Sequence, residues 1–225
     1  MQFDFPNEYS KPYRASGGEM EYNEQLKRDI PKGWEPVLLG EILRENKQVI
    51  SNTVNKDGMY GLDLSIMPSG TMCLNQRGDA DDFDSNRFML KKYDLLFGSI
   101  RPYLRKIAFS AFDGVVNGTI MNFNCKDEQD YSFALCTLTG EGMFQYADTR
   151  SRGNGTRMPT INADELLLYS FPYDKKTASA FHQQASLYWK KICENINQNF
   201  ELTELRDFLL PLLMNGQVTV AVERQ

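Results

Sequence analysis

Histidine is nearly missing from this sequence. His182 stands alone in 225 residues, which removes any chemistry that needs two, such as a His-x-x-x-His zinc protease. Four cysteines (Cys73, Cys125, Cys136, Cys193) form no Cys-x-x-Cys pair, which argues against zinc ribbons, thioredoxin-type sites and a secreted disulfide scaffold. There is no Gly-x-x-x-x-Gly-Lys phosphate loop and no Gly-x-Gly-x-x-Gly loop. The tetrapeptides Asn-Pro-Pro-Tyr and Asp-Pro-Pro-Tyr, with which amino-methyltransferases hold a target base, are also absent. No apolar run approaches the ~20 residues that span a bilayer. The first nine residues lack the basic start and apolar stretch of a signal peptide, so a cytoplasmic protein without membrane contact is expected. Positive charge is short as well. With 25 Lys plus Arg against 30 Asp plus Glu, the net charge of −5 excludes a protein that holds nucleic acid by bulk charge alone.

What is present is enough for a core: 41% of residues are hydrophobic and 12% aromatic, so wholesale disorder is excluded. Three segments differ in character. Residues 1–33 are polar and broken by Pro6, Pro12, Gly17, Gly18 and Pro31, yet carry Phe3, Phe5, Tyr9 and Tyr13, so this arm is expected to dock onto something. A short helix is expected over 23–28. Residues 34–173 read as a mixed domain of short strands, with an opening strand at 34–39 and a helix at 41–45. Further strands are expected at 72–74, 95–100, 107–112 and 115–123, with Asp113-Gly114 as a hairpin turn between the last two. A helix at 131–138, an Asn162-capped turn at 163–166 and a closing strand at 166–171, ended by Pro172, complete the domain.

Residues 174–225 hold a long helix and its tail. No Gly or Pro occurs from Lys175 to Leu210, Asp174 is placed to cap the start, and Pro211 and Gly216 mark the end. Phe181, Ala185, Tyr188, Ile192, Ile196, Leu202, Leu205, Leu209 and Leu213 form an apolar stripe interrupted by Asn195 and Asn199. A helix of this length, about 50 Å at 1.5 Å per residue, is longer than the domain it follows, so part of the stripe needs a partner helix.

Several residue groups bear on chemistry. Glu45-x-Lys47 fits half of a nuclease pattern but has no Pro-Asp upstream, and a solvated helix end is the simpler reading. Asp79, Asp81, Asp82 and Asp84 begin the alternation of a calcium loop, but Phe83 breaks it, so a solvated acidic loop is expected and no metal site. His182 reads as a surface or packing residue. The charge pattern says more. Residues 87–106 hold six bases (Arg87, Lys91, Lys92, Arg101, Arg105, Lys106) against Asp94, and residues 150–157 hold Arg150, Arg152 and Arg157 with no acid. A loop mixing Arg with Asn, Ser and Thr suits base edges, because Arg donates two hydrogen bonds to guanine and Asn pairs with adenine. An ordinary charged surface with a glycine loop accounts equally well for the same residues.

The stretch Lys92-Tyr-Asp-Leu-Leu-Phe-Gly-Ser-Ile-Arg-Pro-Tyr-Leu-Arg-Lys106, followed by Phe112-Asp-Gly-Val115, resembles the central motif of target-recognition domains in specificity (S) subunits of type I restriction-modification enzymes. Ile30-Pro-Lys-Gly-Trp34 resembles that family's domain opening, and Met158-Pro-Thr-Ile161 through Ser170-Phe-Pro172 its closing strand. Residues 195–211, with Asn215-Gly216, resemble its long spacer helix. The four motifs occur in the family's order and cover nearly the whole chain.

The resemblance implies an α+β fold, a mixed short-stranded target-recognition domain followed by one long C-terminal helix for antiparallel coiled-coil pairing. It implies a non-catalytic subunit that reads double-stranded DNA. It would position methyltransferase (M) subunits, which hold S-adenosylmethionine (SAM), and through the complex a restriction (R) subunit that uses ATP and Mg. No cofactor is expected in this chain. A full S subunit has two recognition domains and two long helices; this chain has one of each, as a natural half-subunit or the C-terminal half of a larger one. Two copies paired antiparallel would restore the full shape and read a palindromic split target. Base reading is assigned to Arg150, Arg152, Asn154, Thr156 and Arg157, and phosphate or groove contacts to Arg77, Arg101, Arg105 and Lys106 with Tyr103 in support. Arg101 has a rival structural role inside the signature. A second reading is an assembly or regulatory half-subunit that binds M or a full S subunit through the helix without reading DNA.

Overall fold

The computed structural model describes residues 3, 5, 9–50, 59–82, 87–152 and 158–218, and only the backbone of Asp82 and Arg152. The chain begins with a hairpin, β1 (Met20–Asn23) and β2 (Arg28–Pro31), antiparallel with Asn23 opposite Arg28. The helix expected at 23–28 is instead its turn: the Asn23 side chain accepts from the Gln25 and Leu26 amides at 3.1 and 3.0 Å, and Lys27 adopts the left-handed conformation. The aromatic arm docks as expected. Phe5 stacks on Trp34 and Tyr13, Phe3 meets Trp34 edge-on, and the Arg28 guanidinium lies 5.0 Å from the Phe3 ring centre.

From Trp34 the chain forms β3 (Glu35–Leu38), a single helical turn α1 (Leu39–Ile42) and β4 (Leu43–Glu45), so helix gives way to strand earlier than the sequence suggests. Two four-stranded sheets follow. One joins β6 (Gly78–Asp79), β5 (Tyr60–Leu62), β10 (Gly114–Asn117) and β7 (Arg87–Leu90) in that order. The other joins β4, β11 (Ile120–Cys125), β8 (Leu95–Gly98) and β9 (Ile107–Phe109). The closing strand β12 (Ser170–Tyr173) pairs back on β3 and passes through Pro172 rather than ending there.

Three strand expectations change. No strand forms at 72–74. The run expected at 115–123 divides at residues 118–119 into β10 and β11, which enter different sheets. Asp113-Gly114 is therefore not a hairpin turn. Asp113 Oδ1 accepts from the Lys92 amide at 2.7 Å, and Gly114 allows β5 to run parallel beside β10, since a Cβ there would sit 2.2 Å from the Tyr60 carbonyl oxygen. Backbone cannot yield as a flexible side chain can. Gly114→Ala is accordingly expected to destabilise the domain by about 1–3 kcal/mol, read as a lower midpoint in urea denaturation.

Helix α2 (Tyr131–Leu138) lies where the periodicity places it, and α4 (Ala163–Leu167) is capped by Asn162, whose side chain accepts from the Glu165 amide at 2.8 Å. Between them α3 (Glu141–Arg152) takes in residues read from sequence as the start of a loop. The core gathers Phe97, Phe109, Phe123, Leu95 and Leu96 from the sheets with Leu135, Leu138 and Met143 from the helices.

Helix α5 (Lys175–Met214) has 40 residues and is about 60 Å long. Asp174 caps it, accepting from the Thr177 amide and hydroxyl at 2.7 Å, and Gly216 follows with positive φ. The first 26 residues are fixed to the domain. Ala178, Ala185, Cys193, Ile196 and Phe200 are buried, with Trp189 and Ile192 half-buried beside them. Beyond Phe200 most of the helix is exposed. The apolar stripe therefore divides, and this corrects its sequence reading: Ala185, Ile192 and Ile196 face the chain's own domain, whereas Phe181, Tyr188, Leu202, Leu205 and Leu213 are exposed and Leu209 partly so.

Candidate nucleic-acid interface

Strand β8 delivers the chain to a strained turn. Arg101 and Arg105 both adopt the left-handed conformation, at φ 52° and 53°, on either side of a 3-10 turn formed by Pro102–Leu104. Such backbone costs about 1–3 kcal/mol per residue and persists only where its surroundings hold it. Here they do. The Leu104 amide donates to the Arg101 carbonyl and the Arg105 amide to that of Pro102, both at 2.9 Å. Ser99 binds the Thr119 carbonyl through its amide and hydroxyl at 3.0 and 2.7 Å.

The same turn is fixed to residues 159–161. Ile100 pairs with Thr160, the Arg101 amide donates to the Pro159 carbonyl at 2.8 Å, and the Ile161 amide to that of Ser99 at 3.0 Å. Residues 159–161 are thus bonded directly to the Arg101 turn. The last turn of α3 carries Arg150, which is exposed and lies 5.4 Å from the Tyr146 ring centre. Ser151 is buried, with its hydroxyl on the Asp148 carbonyl at 2.9 Å, and this seats the last helical turn. Arginines at a helix C-terminus also complement its partial negative charge. Asn154, Thr156, Arg157 and the side chain of Arg152 lie outside the described residues.

The basic residues divide into displayed and anchoring side chains. Arg101 and Tyr103 are exposed at the apex. Arg105 instead pairs with Glu141 of α3 at 2.7 Å and lies over the Phe144 ring, and Lys106 donates to the Leu64 carbonyl at 2.6 Å. Both hold the turn in place, a role the sequence reading did not give them. Arg77 is corrected more strongly. Its guanidinium stacks between Tyr60 and Phe200, 3.6 and 4.6 Å from the ring centres, and pairs with Glu204, so it clamps β5 to α5. Arg87 is buried, and Lys92 lies over the Tyr93 ring. A run of like charge in sequence is therefore not a patch: of the six bases in 87–106, Lys91 and Arg101 are the ones displayed without such contacts among the described residues.

A polar seam between domain and α5 was not read from the sequence. Lys175 reaches Asp127 at 2.6 Å and the buried Asp130 at 3.0 Å, and Asp130 also accepts from the Tyr173 hydroxyl at 2.7 Å. Burial opposes the charged form of Lys175, yet its hydrogen bonds to Asp127 and Asp130 outweigh this and raise its pKa; the bond from Lys175 lowers that of Asp127. Further along, Trp189 Nε1 donates to Ser132 Oγ at 2.7 Å, and Ser132 Oγ lies 3.0 Å from His182 Nδ1, so His182 is a packing residue as expected. Asn197 donates to the Ala111 carbonyl at 2.9 Å. Long-range partners of this kind leave no local pattern in a sequence. Glu45 and Lys47 simply pair with each other at 2.7 Å, and among the described residues no group of three or more His, Cys, Asp or Glu is placed to hold a metal ion.

No protein-family model matches the sequence. Two curated proteins do match it along most of its length. The type I restriction enzyme MjaIX specificity subunit of Methanocaldococcus jannaschii is 24% identical over 217 residues, covering 90% of this chain and 48% of that protein. The HindI specificity subunit of Haemophilus influenzae is 24% identical over 202 residues, covering 84% and 42%. This chain is a relative of the type I specificity subunits. It spans about half the length of the curated relatives it matches. The fold agrees: a chain solved in work on complex assembly and conformational transition of a type I R-M system superposes with a TM-score of 0.53 at 15% identity, over 87% of this chain and 52% of that one. The mixed α+β domain with one long C-terminal helix is thus the fold expected from the motifs. Among the described residues no helix is long and apolar enough to cross a membrane.

Proposed function

We propose that this chain is a sequence-reading subunit of a type I restriction-modification system, acting in the cytoplasm on double-stranded DNA. One observation supports the reading: the backbone bonds the exposed Arg101–Tyr103 turn to residues 159–161, which the motifs place far along the sequence, so two motif-bearing segments meet at one displayed turn. Rigid support beneath mobile-length arginines is what base readout requires, because an unfixed donor gains little discrimination. The chain itself carries out no reaction in this reading. It binds the target, and M subunits supply the SAM-dependent methylation and much of the phosphate clamp, with ATP- and Mg-dependent cleavage in R. That division suits a net charge of −5.

A second copy, paired through α5, supplies the other half of a palindromic split target. The test is DNA binding by this chain reconstituted with its M subunit. Binding is expected to be weak for the chain alone, and tight and sequence-dependent in the complex. If the complex binds DNA equally well with and without the target, the chain serves assembly rather than reading.

A further inference from the structure

A cavity of about 160 Å³ lies where the 3-10 turn Glu128–Asp130 and the start of α2 face the first half of α5, and no residue of the DNA surface lines it. Tyr131 stands in its wall nearly perpendicular to two other rings. Its plane meets that of Tyr93 at 83°, with centres 6.3 Å apart, and that of His182 at 75°, with centres 6.4 Å apart. Trp189 completes the aromatic lining. The polar atoms of these rings are largely turned elsewhere. Trp189 Nε1 and His182 Nδ1 both meet Ser132 Oγ, at 2.7 and 3.0 Å, and the Tyr131 hydroxyl is buried. The walls therefore offer mainly ring carbon. Tyr93 is set there at a cost. Its φ of 72° lies in the left-handed region, which glycine occupies freely and a bulky side chain rarely does. The turn is held by the Tyr93 amide on the Ser110 carbonyl at 2.8 Å and by Asp94 Oδ2, which accepts from the Lys91 amide at 2.9 Å. Strained backbone of this kind clusters at functional sites.

Two opposite charges line the same cavity, Glu128 from the domain and Lys190 from α5. Both are exposed, and among the described residues neither forms an ion pair, with the other or elsewhere. We propose that the cavity binds a small zwitterion of the betaine class, with a quaternary ammonium at one end and a carboxylate at the other. Aromatic walls attract a quaternary ammonium through their π faces, and such a cation needs none of the hydrogen bonds that these walls lack. A primary ammonium or a guanidinium would lose its bonds to water without replacement. Glu128 adds attraction for the ammonium and Lys190 for the carboxylate. Lys92 also lies 5.2 Å from the Tyr93 ring centre, but it does not line this cavity. Size excludes a nucleotide, since the volume is well below the roughly 300 Å³ at which sites for drug-sized ligands begin. The bound zwitterion would touch both the domain and α5, and so bridge the two.

Fluorine NMR of the full chain labelled with 5-fluorotryptophan tests this. The chain has two tryptophans, Trp34 beneath the N-terminal arm and Trp189 in the cavity wall. Glycine betaine is expected to shift the Trp189 signal saturably and to leave that of Trp34 in place, which separates binding from the general effect of an osmolyte on proteins. The compound 3,3-dimethylbutanoate has the same shape with no positive charge, and it should bind about tenfold more weakly. Tyr93→Gly suits the left-handed backbone, so it should remove the Trp189 response while far-ultraviolet circular dichroism stays unchanged. Glu128→Gln and Lys190→Gln, at exposed positions, should each weaken binding about two- to fivefold. Equal binding of betaine and dimethylbutanoate would overturn the proposal by reducing the site to an apolar cavity. So would the absence of a saturable Trp189 shift, or a shift that Tyr93→Gly leaves intact. Binding that neither Glu128→Gln nor Lys190→Gln weakens would overturn the assignment of a zwitterion.

Discussion

Leu202→Asp combined with Leu209→Asp is expected to turn a dimer into a monomer of 25.9 kDa without unfolding the domain. Each buried leucine contributes about 1.5–3 kcal/mol relative to exposure. A two-fold interface counts each change twice, so four leucines are lost per dimer, or about 6–12 kcal/mol. Placing carboxylates in the seam adds a desolvation cost. A loss of that size is comparable to the whole binding energy of a micromolar dimer, about 8 kcal/mol. Beyond Phe200 the helix is mostly exposed and makes few contacts with its own domain, the Arg77–Glu204 pair being one, so the urea midpoint of the domain should hardly move. Ala185→Asp should do the opposite. That residue is buried against the domain, and the substitution should lower the midpoint first. Light scattering and denaturation of the two variants, side by side, check the division of the helix.

The second large effect concerns the DNA surface. Arg150→Ala, Arg152→Ala and Arg157→Ala are expected to change which sequence the complex methylates, each lost base contact costing about 1–3 kcal/mol, or roughly five- to 150-fold. Arg105→Ala should behave differently. It removes the ion pair to Glu141 and the contact with Phe144, which hold a turn that already carries two left-handed residues. Released from α3, the turn should weaken binding to all sequences about equally and lower the melting temperature, while the preferred sequence stays the same. Methylation mapping with each variant separates the outcomes. Unchanged sites with only a lower rate for every arginine variant would remove the assignment of base reading to these residues.

Much of the fold was legible because local chemistry and tertiary packing agree there. Asn162 and Asp174 cap helices where their side chains can reach the third amide onward. The long helix follows from the absence of Gly and Pro, and its length alone shows that part of it lies beyond the domain. What was misread depended on partners distant in sequence. Gly114 looks like a turn residue, but what requires it is the Tyr60 carbonyl, more than fifty residues away. The stripe on α5 was seen as one seam because spacing gives a face and not its occupant, and one residue of phase decides whether Ile196 or Leu202 meets the domain. Arg77, Arg105 and Lys106 read from the sequence as phosphate contacts because their aromatic, acidic and carbonyl partners come from other elements. The joining of the Arg101 turn to residues 159–161 had one visible sign, the ordered motifs themselves; nothing in spacing shows two backbone segments bonding.

The central claim is that this chain selects the DNA sequence on which its partners act. The most direct measurement is the methylated motif in cells expressing the M subunit with and without this chain. The account predicts one split, palindromic motif that appears only when the chain is present and that is lost with Leu202→Asp and Leu209→Asp. A motif that appears without the chain, or that stays the same when Arg150 and Arg152 are both replaced by alanine, would contradict it.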